Sequence, residues 1–164
     1  MKLDISELLK KSIEEFSFDL SFEMNSINRD EYKINLKAPI KIKGKAINNG
    51  NVVDAKGTFS ILFEVQCSRC LEVFEHFLNV DFEETFSKSV NDEEFYPIIE
   101  DIMILDDMVI DNLILSMPIR LLCNDECKGL CPNCGVNLNK VDCDCEKETV
   151  NPKFAVLKDL FKQD

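Results

Sequence analysis

The chain has 164 residues, of which 45% are apolar and 30% are charged, and its 31 acidic and 19 basic side chains give a net charge of −12. This length suffices for one domain with a hydrophobic core but is too short for two full α/β domains or a TIM barrel. No apolar run is long enough to cross a membrane, and the charged stretch 1–11 lacks the apolar segment of a signal peptide. These features predict a cytoplasmic protein.

Strand-like alternation of apolar and polar residues dominates the first half of the chain. After a short predicted helix from Leu3 to Lys11, residues alternate from Phe16 to Met24 and again from Tyr32 to Ala46. Pro39 is expected to split the second run or to mark an edge strand. The sequence Asn-Asn-Gly-Asn at 48–51 has the chemistry of a hairpin turn, and therefore predicts a connection to a following strand.

The second half combines strands with helices. Alternation predicts strands over 59–67 and 74–82, followed by an acidic loop over 87–96 and a short strand over 98–105. Two aspartates at 106 and 107 are predicted N-caps of a helix, because apolar residues then recur at helical spacing until a proline ends the pattern at 118.

These elements predict an α+β fold with a mostly antiparallel, barrel-like β-sheet core, a few helices and a C-terminal zinc-ribbon-like segment with four cysteines. Residues 1–120 are predicted to form the core domain and 121–147 a cysteine-rich, zinc-binding segment. A C-terminal amphipathic helix is predicted over 148–164, because Asn151-Pro152 resembles a helix start and apolar residues follow at helical spacing.

Eight cysteines carry the clearest chemistry in the sequence. A reducing cytoplasm keeps cysteines as thiols, and tetrahedral zinc takes four ligands. A Cys-x2-Cys spacing lets two thiolates bind one ion, and Gly135 after Cys-Pro-Asn-Cys permits the backbone turn of a zinc knuckle. Six cysteines lie in the apolar-poor stretch 123–145, which needs a metal because it cannot build a core. We predict structural Zn²⁺, in two sites, at Cys67, Cys70, Cys123, Cys127, Cys131, Cys134, Cys143 and Cys145.

The sequence leaves the grouping of these cysteines open. The preferred scheme has a local site made by the four cysteines at 131, 134, 143 and 145, and a second site in which Cys67 and Cys70 join Cys123 and Cys127. In a rival scheme Cys123 and Cys127 join the knuckle at 131–134, and a third possibility is a single zinc with several free thiols. Two filled sites would change the net charge to about −16, because four thiolates outweigh the charge of each ion.

No catalytic constellation accompanies the cysteines. The single histidine, His76, lies on the apolar side of its strand, and the sequence offers no nucleophile–base pair and no Gly-rich phosphate loop. Zinc held by four thiolates has no open position for a substrate water. An iron–sulfur cluster or a redox-active Cys-x2-Cys pair is less favoured, because short knuckles suit a single ion and no thioredoxin-like pattern surrounds them. We therefore expect no enzymatic activity and no small-molecule substrate.

Charged surfaces and one arginine are candidate contacts for a partner. Lys41, Lys43 and Lys45, together with Lys33 and Lys37, form a row of five lysines that suits phosphate contacts, although a solvated face guarding a sheet edge is the favoured interpretation. Arg69 is the better candidate for a specific contact, because the two predicted metal ligands around it would fix its position. The acidic stretch 81–107 suits a basic partner such as a ribosomal protein, or serves solubility alone.

Several stretches carry a more specific resemblance. They are Val-Gln-Cys-Ser-Arg-Cys-Leu at 65–71, Leu-Ser-Met-Pro at 115–118, Leu-Cys-Asn-Asp-Glu-Cys-Lys-Gly-Leu-Cys-Pro-Asn-Cys-Gly-Val-Asn-Leu-Asn at 122–139, Cys-Asp-Cys at 143–145 and Asn-Pro-Lys-Phe at 151–154. Through them, over roughly residues 60–160, the chain resembles the bacterial YceD family, the large ribosomal RNA subunit accumulation proteins. The resemblance implies a cytoplasmic role in large-subunit rRNA accumulation or maturation, without known catalysis.

The same resemblance implies partners. Members of the family are often encoded beside a large-subunit ribosomal protein, so that protein, precursor large-subunit rRNA, or both are the expected partners. The acidic balance of the chain favours the protein partner. A zinc-thiolate redox sensor or redox-controlled chaperone is the main alternative to a ribosome-assembly factor, whereas a nuclease or RNA-modifying enzyme lacks candidate residues.

Overall fold

A computed structural model describes residues 1–10, 14–29, 32–89 and 95–145 of the chain. Its elements, in chain order, are β1 (Lys2–Asp4), α1 (Ser6–Leu9), β2 (Glu15–Phe22), β3 (Ser26–Arg29), β4 (Tyr32–Leu36), β5 (Ile40–Asn48), β6 (Val52–Gln66), β7 (Val73–Ser87), β8 (Tyr96–Ile99), β9 (Ile102–Ile104) and α2 (Asp106–Ser116).

A long antiparallel hairpin organises the sheet. β6 and β7 have 15 residues each and pair along their whole length. On the far side of β6, β5 pairs with the first half of the strand and β4 with a short part of the second half; β2 then pairs with β5, and β3 with β4. Beyond β7, the parallel strand β8 leads to β9 and β1. Over the described ranges the resulting sheet has nine strands and is curled into a half-barrel, which confirms the predicted α+β fold with a mostly antiparallel, barrel-like core.

The hydrophobic core joins one face of this sheet to α2. Alternate residues of β6, among them Phe59, Ile61 and Phe63, are almost fully buried, and the strand's other residues face solvent or lie at the boundary. Met108 and Leu113 of α2 are fully buried in the same cluster. Burial of each such side chain stabilises the fold by about 1.5–3 kcal/mol. The period-two pattern of the sequence therefore fixes which face of the sheet α2 covers.

Two glycines allow β5 and β6 to approach closely. Gly44 and Gly57 are directly opposite each other, and a Cβ on Gly57 would lie 2.1 Å from the Lys43 carbonyl oxygen. A Cβ on Gly44 would lie 2.8 Å from the ring of Phe18. Glycine in the middle of a strand weakens it but permits such a contact, so this pair marks a point where the sheet can curl.

Most of the strands and turns predicted for the first hundred residues are confirmed. The run from 32 to 46 is split around Pro39 into β4 and β5, and the 48–51 turn connects β5 to β6 with Gly50 at a φ of 92°. The strands predicted at 16–24, 59–67 and 74–82 exist, and β6 and β7 are several residues longer than the patterns indicated. The acidic loop predicted over 87–96 lies partly outside the described residues.

Four details of the prediction are wrong. The stretch predicted as one helix from Leu3 begins with β1, which pairs with β9, and among its described residues only Ser6–Leu9 is helical. The predicted strand over 98–105 is two short strands, because Glu100 and Asp101 adopt positive φ and form a turn. Strand β3 was not foreseen. Leu105 occupies the N-cap of α2 with no side-chain hydrogen bond, so neither predicted aspartate cap forms.

The last two predicted segments, 121–147 and 148–164, follow α2 in the chain. All the named strands and helices lie before Pro118, and residues 121–145 contain only turns and an isolated bridge between Leu130 and Asn137. The amphipathic helix predicted over 148–164 lies outside the described residues. Among the residues that are described, no helix is long and apolar enough to cross a membrane.

Candidate metal centres

The first group of cysteines, here called the root site, consists of Cys67, Cys70, Cys123 and Cys127. Cys67 and Cys70 lie in the tight turn between β6 and β7, and the other two follow α2. A backbone hydrogen bond from Ser68 N–H to the Leu121 carbonyl (2.8 Å) brings the chain after α2 against the hairpin turn. The topology thus assembles four thiols from two distant parts of the sequence.

The sulfur positions of the root site fit a tetrahedral ion. All four sulfurs lie within 4.8 Å of one another, with Cys67 Sγ 3.8 Å from Cys127 Sγ and Cys70 Sγ 3.6 Å from Cys123 Sγ. A tetrahedron with metal–sulfur distances of about 2.3 Å has sulfur–sulfur edges of about 3.8 Å. Cys67, Cys70 and Cys127 are buried and Cys123 is half-buried. The site is therefore compact and largely closed to solvent.

Backbone N–H groups converge on the Cys67 sulfur. The N–H groups of Arg69 and Cys123 both donate to it at 3.4 Å. Burial alone would raise the pKa of the Cys67 thiol, but hydrogen bonds from the N–H groups of Cys70, Arg69 and Cys123 outweigh it and lower the pKa to about 6. Burial and contact with its neighbours raise the pKa of Cys123 to about 12. Metal binding would require that proton to leave, as for any thiolate ligand.

The second group, here called the ribbon site, consists of Cys131, Cys134, Cys143 and Cys145, whose sulfurs also lie within 4.8 Å of one another. Cys131 is buried and Cys134 is exposed, while the other two are half-buried. All four come from one short stretch of chain. The ribbon site is therefore the more solvent-accessible of the two.

The ribbon site has the local geometry expected of a zinc knuckle. Gly135 adopts a φ of 74°, and its N–H donates to the Cys131 carbonyl at 2.9 Å. Hydrogen bonds from the N–H groups of Cys134 and Asn133 lower the pKa of Cys131 to about 6. Contact with Cys134, followed by burial, raises the pKa of Cys145 to about 12. The predicted role of Gly135 in the turn is confirmed by its left-handed backbone.

Asn139, which lies between the ribbon-site cysteines in the sequence, contacts the root site. Its Nδ2 donates to Cys127 Sγ at 3.3 Å, and its Oδ1 accepts the Lys128 N–H at 2.7 Å. Asn137 Oδ1 in turn accepts hydrogen bonds from the Asn139 N–H and Nδ2. Such partners orient metal ligands and partly neutralise thiolate charge. Sequence reasoning missed this role, although the Asn-Leu-Asn run directly after the knuckle was its signal.

Arg69 holds the segment 127–130 against the β6–β7 turn. Its Nη1 donates to the Cys127 carbonyl at 2.9 Å, and its own carbonyl accepts the Leu130 N–H at 3.2 Å. The close approach of Gly129, where a Cβ would lie 3.1 Å from the Arg69 carbonyl oxygen, fits this packing. Arg69 is exposed as a residue, so its role as a partner contact stays a prediction, but its guanidinium already has an internal acceptor.

The lysine row faces solvent beside acidic residues of neighbouring strands. Lys43 Nζ lies 3.0 Å from Asp19 and Lys45 Nζ lies 2.9 Å from Glu15, both across the β2–β5 pair. Lys41 is exposed on the same face of β5. The only histidine, His76, is half-buried, and its ring makes a T-shaped contact with that of Phe63 (centroids 5.6 Å apart). It belongs to neither cysteine group.

The eight sulfurs form the two groups of four of the preferred scheme. The rival scheme, in which Cys123 and Cys127 join the knuckle at 131–134, does not match the positions of the sulfurs. Four thiols at tetrahedral spacing are the donor set that zinc favours, so both groups fit the predicted ion. Four protein ligands would leave no open coordination position, so such an ion would be structural.

Comparison with known proteins places the chain in a family. The uncharacterized protein YlbN of Bacillus subtilis is 25% identical over 169 residues, covering 100% of this chain and 98% of that protein. An uncharacterized protein of Mycobacterium tuberculosis is 24% identical over 129 residues, which covers 74% of this chain and 61% of that protein. The chloroplastic large ribosomal RNA subunit accumulation protein YCED homolog 1 of Arabidopsis thaliana is 41% identical over 49 residues, covering 30% of this chain and 15% of that protein.

No solved structure matches the chain. The sequence profile of one family, described as large ribosomal RNA subunit accumulation protein YceD, matches residues 55–161 and therefore includes all eight cysteines. Because this match covers well over half of the sequence, the chain belongs to the YceD family.

Proposed function

We propose that the protein is a zinc-stabilised, non-enzymatic ribosome-assembly factor that supports the accumulation or maturation of large-subunit rRNA in the cytoplasm. The observation that carries this proposal is the family match over residues 55–161, in a family described by large ribosomal RNA subunit accumulation. The matched region begins within β6 and ends beyond the ribbon site, so it includes most of the long hairpin, α2 and both cysteine groups.

Zinc would act on the fold. In the root site, the ion would join the β6–β7 turn to the segment after α2, and in the ribbon site it would close a stretch that has few buried apolar side chains of its own. Folding free energy in such segments comes largely from metal binding. The ions would thus hold the segment 121–145 in a fixed position on the sheet, where it can present a surface to a partner.

The partner we propose is a large-subunit ribosomal protein, precursor rRNA, or both together, with no membrane involved. Residues 58–107 hold 13 acidic and two basic residues, and ribosomal proteins are in general strongly basic. The lysine row is the main basic exception, and three of its five lysines already pair with carboxylates. Acidic surface therefore favours the protein partner over direct phosphate contact.

Depletion followed by complementation tests the proposal. Loss of the protein should lower the amount of large-subunit rRNA relative to small-subunit rRNA, and the wild-type chain should restore it. Cys70→Ser and Cys134→Ser each break one cysteine group and should restore it poorly, whereas Ser68→Ala, in the same turn but without a thiol, should restore it fully. Unchanged ribosome profiles after depletion would contradict the proposed function.

A redox sensor or redox-controlled chaperone is a second candidate, favoured by one observation. Cys134 is exposed while the root site is closed, so an oxidant would reach the ribbon site first. Peroxide that releases one zinc and at the same time switches the protein's effect on rRNA or on an unfolded client would support this candidate. Zinc release without any change in either activity would leave the assembly factor as the better account.

A further inference from the structure

Within the part of the chain that the structure describes, the outer edge of β7 is unpaired over most of its length. Among the described residues, β7 pairs with β6 throughout but with β8 only at Phe86 and Ser87. Near its end, Asn112 of α2 donates a hydrogen bond to the Glu84 carboxylate at 2.8 Å, so α2 lies close to that part. The stretch from Val73 to Asp81 therefore presents a free sheet edge, of the kind to which another strand can be added.

The hydrogen-bond register shows which backbone groups face this edge. The Cys67 N–H donates to the Glu72 carbonyl at 2.8 Å, and the β6–β7 register continues from that pair. In an antiparallel ladder, hydrogen-bonded pairs alternate with pairs whose N–H and C=O groups point away from each other. The odd-numbered residues of β7 therefore direct their backbone groups outward. The same alternation is visible on β6, where Leu62 is the residue opposite Phe77. The Leu62 carbonyl points away from β7 and accepts the Lys37 N–H at 2.9 Å.

The side chains of the same odd-numbered residues form an exposed row of mixed character. Val73 is 65% exposed and Phe77 is 58% exposed, and the exposed residues Glu75, Asn79 and Asp81 alternate with them along the strand. Neither Glu75 nor Asp81 makes an ion pair with another described residue, although Lys37, whose pKa is raised mainly by its hydrogen bond to Glu64, also lies near enough to feel the charge of Glu75. From Val73 to Ser87 the sequence has no Lys, Arg, Pro or Gly, so β7 lacks the basic or proline residues that commonly protect a free edge.

We propose that this edge of β7 is a docking site where an extended, basic segment of a protein partner is added to the sheet as a further strand. Lysine or arginine side chains of the segment would meet Glu75 and Asp81, and apolar side chains between them would cover Val73 and Phe77. The proposal rests on the proposed function, since it gives the chemistry of the protein partner. A second copy of the chain fits poorly because acidic rows would face each other, and nucleic acid fits poorly because the row carries no cation.

Amide hydrogen exchange with a defined peptide tests this proposal. The probe is a short peptide of alternating lysine and valine, and its control has glutamate in place of lysine. Addition of the lysine peptide to the full, zinc-loaded chain should slow exchange at the N–H groups of Val73, Glu75, Phe77, Asn79 and Asp81, whereas the even-numbered N–H groups are already protected by β6.

Several results would overturn the proposal. The first is that the glutamate peptide binds as well as the lysine peptide, and the second is that the lysine peptide binds without slowing exchange at alternate N–H groups of β7. The third is that an oligonucleotide binds more strongly than the lysine peptide, and the fourth is that the chain self-associates through β7. Slow exchange at these five N–H groups before any peptide is added would show that the edge is already occupied, and would also overturn it.

A matched pair of variants separates backbone pairing from charge attraction. Asn79→Pro removes an outward N–H that makes no bond to β6, and Asn79→Thr keeps it. The proline variant should keep its circular dichroism spectrum and zinc content but bind the peptide at least about fivefold more weakly than the threonine variant, as expected for a lost hydrogen bond. Glu75→Lys combined with Asp81→Lys provides a second test and should abolish binding. Equal binding by all variants would contradict the proposal.

Complementation distinguishes failure of this inference from failure of the proposed function. If the wild-type chain restores large-subunit rRNA and Asn79→Pro restores it equally well, the docking edge is wrong while the assembly function stands. If the wild-type chain has no effect on rRNA, the proposed function itself fails, whatever the peptide binds.

Discussion

Leu71 and Gly135 occupy equivalent positions in the two cysteine knuckles. Each directly follows the second cysteine of a Cys-x2-Cys sequence, and each has a left-handed backbone, with φ of 61° and 74° respectively. In both knuckles the N–H of this residue donates to the carbonyl of the first cysteine, at 3.0 Å for Cys67 and 2.9 Å for Cys131. Because a Cβ disfavours this conformation, Leu71 carries backbone strain that Gly135 avoids.

Introducing a glycine at position 71 and removing the glycine at position 135 should change the free energy of unfolding in opposite directions. Leu71→Gly should raise the free energy of unfolding by up to about 1 kcal/mol, since the side chain is 54% exposed and little burial is lost. Gly135→Ala should lower it by about 1 kcal/mol, because no atom lies near the added Cβ and the cost is conformational. Thermal unfolding of the zinc-loaded protein measures both shifts. A lower Tm for Leu71→Gly would contradict this account.

Sequence patterns predicted the parts of the fold whose signals are local. Alternation located β2, β4, β5, β6 and β7, and the cysteine spacing allowed the two groups of four to be proposed in advance. β1 could not be located in this way, because three residues carry no periodicity and its partner β9 lies about a hundred positions later. The turn at Glu100–Asp101 was also hidden, since neither residue is the glycine that positive φ usually signals.

The site shows the same division between local and long-range signals. The ribbon site could be predicted with its knuckle glycine, because all its ligands lie in one short segment. The contacts of Arg69 with Cys127 and of Asn139 with the same cysteine depend on how the segment after α2 folds back against the β6–β7 turn. No spacing rule contains that information.

Arg69→Lys should loosen the root site while leaving the ribbon site unchanged. The guanidinium Nη1 donates to the Cys127 carbonyl at 2.9 Å, and a lysine cannot reproduce that planar geometry. We expect zinc transfer from the root site to a chelator to become about tenfold faster, as for loss of other groups that orient metal ligands. Arg120→Lys, at an exposed position after α2, is the control. Release rates indistinguishable from wild type would show that Arg69 does not support the site.

Tyr96 should make stability depend on pH in the alkaline range. Its hydroxyl donates to Asp111 Oδ2 at 3.2 Å, and the Arg29 guanidinium binds the same carboxylate. Burial, together with the negative charges of Glu84 and Asp111, raises the pKa of Tyr96 above its ordinary value. A group with a raised pKa in the folded state contributes stability below its unfolded pKa of about 10, and that stability is lost as the pH rises further.

The free energy of unfolding should therefore fall more steeply above about pH 10 in the wild type than in Tyr96→Phe, which has no hydroxyl to ionise. Chemical denaturation at a series of pH values measures the two slopes. Parallel slopes for the two proteins would show that Tyr96 titrates normally in the folded state.

Replacing Lys41, Lys43 and Lys45 together by glutamine should leave large-subunit rRNA accumulation intact in the complementation assay. Two of these lysines form exposed ion pairs, which contribute at most about 1 kcal/mol each, so the loss of stability should also be small. Quantitative rRNA measurement and thermal unfolding test the two expectations. Loss of rRNA accumulation in a stably folded triple variant would instead identify the lysine row as a contact surface.

Zinc content of the purified chain and of two single variants tests the central claim most directly. The wild type should contain about two zinc ions per chain, and Cys70→Ser and Cys134→Ser should each contain about one, because each removes a ligand from a different group of four. A wild-type content of one or none, or a variant that retains both ions, would contradict the assignment of two structural zinc sites.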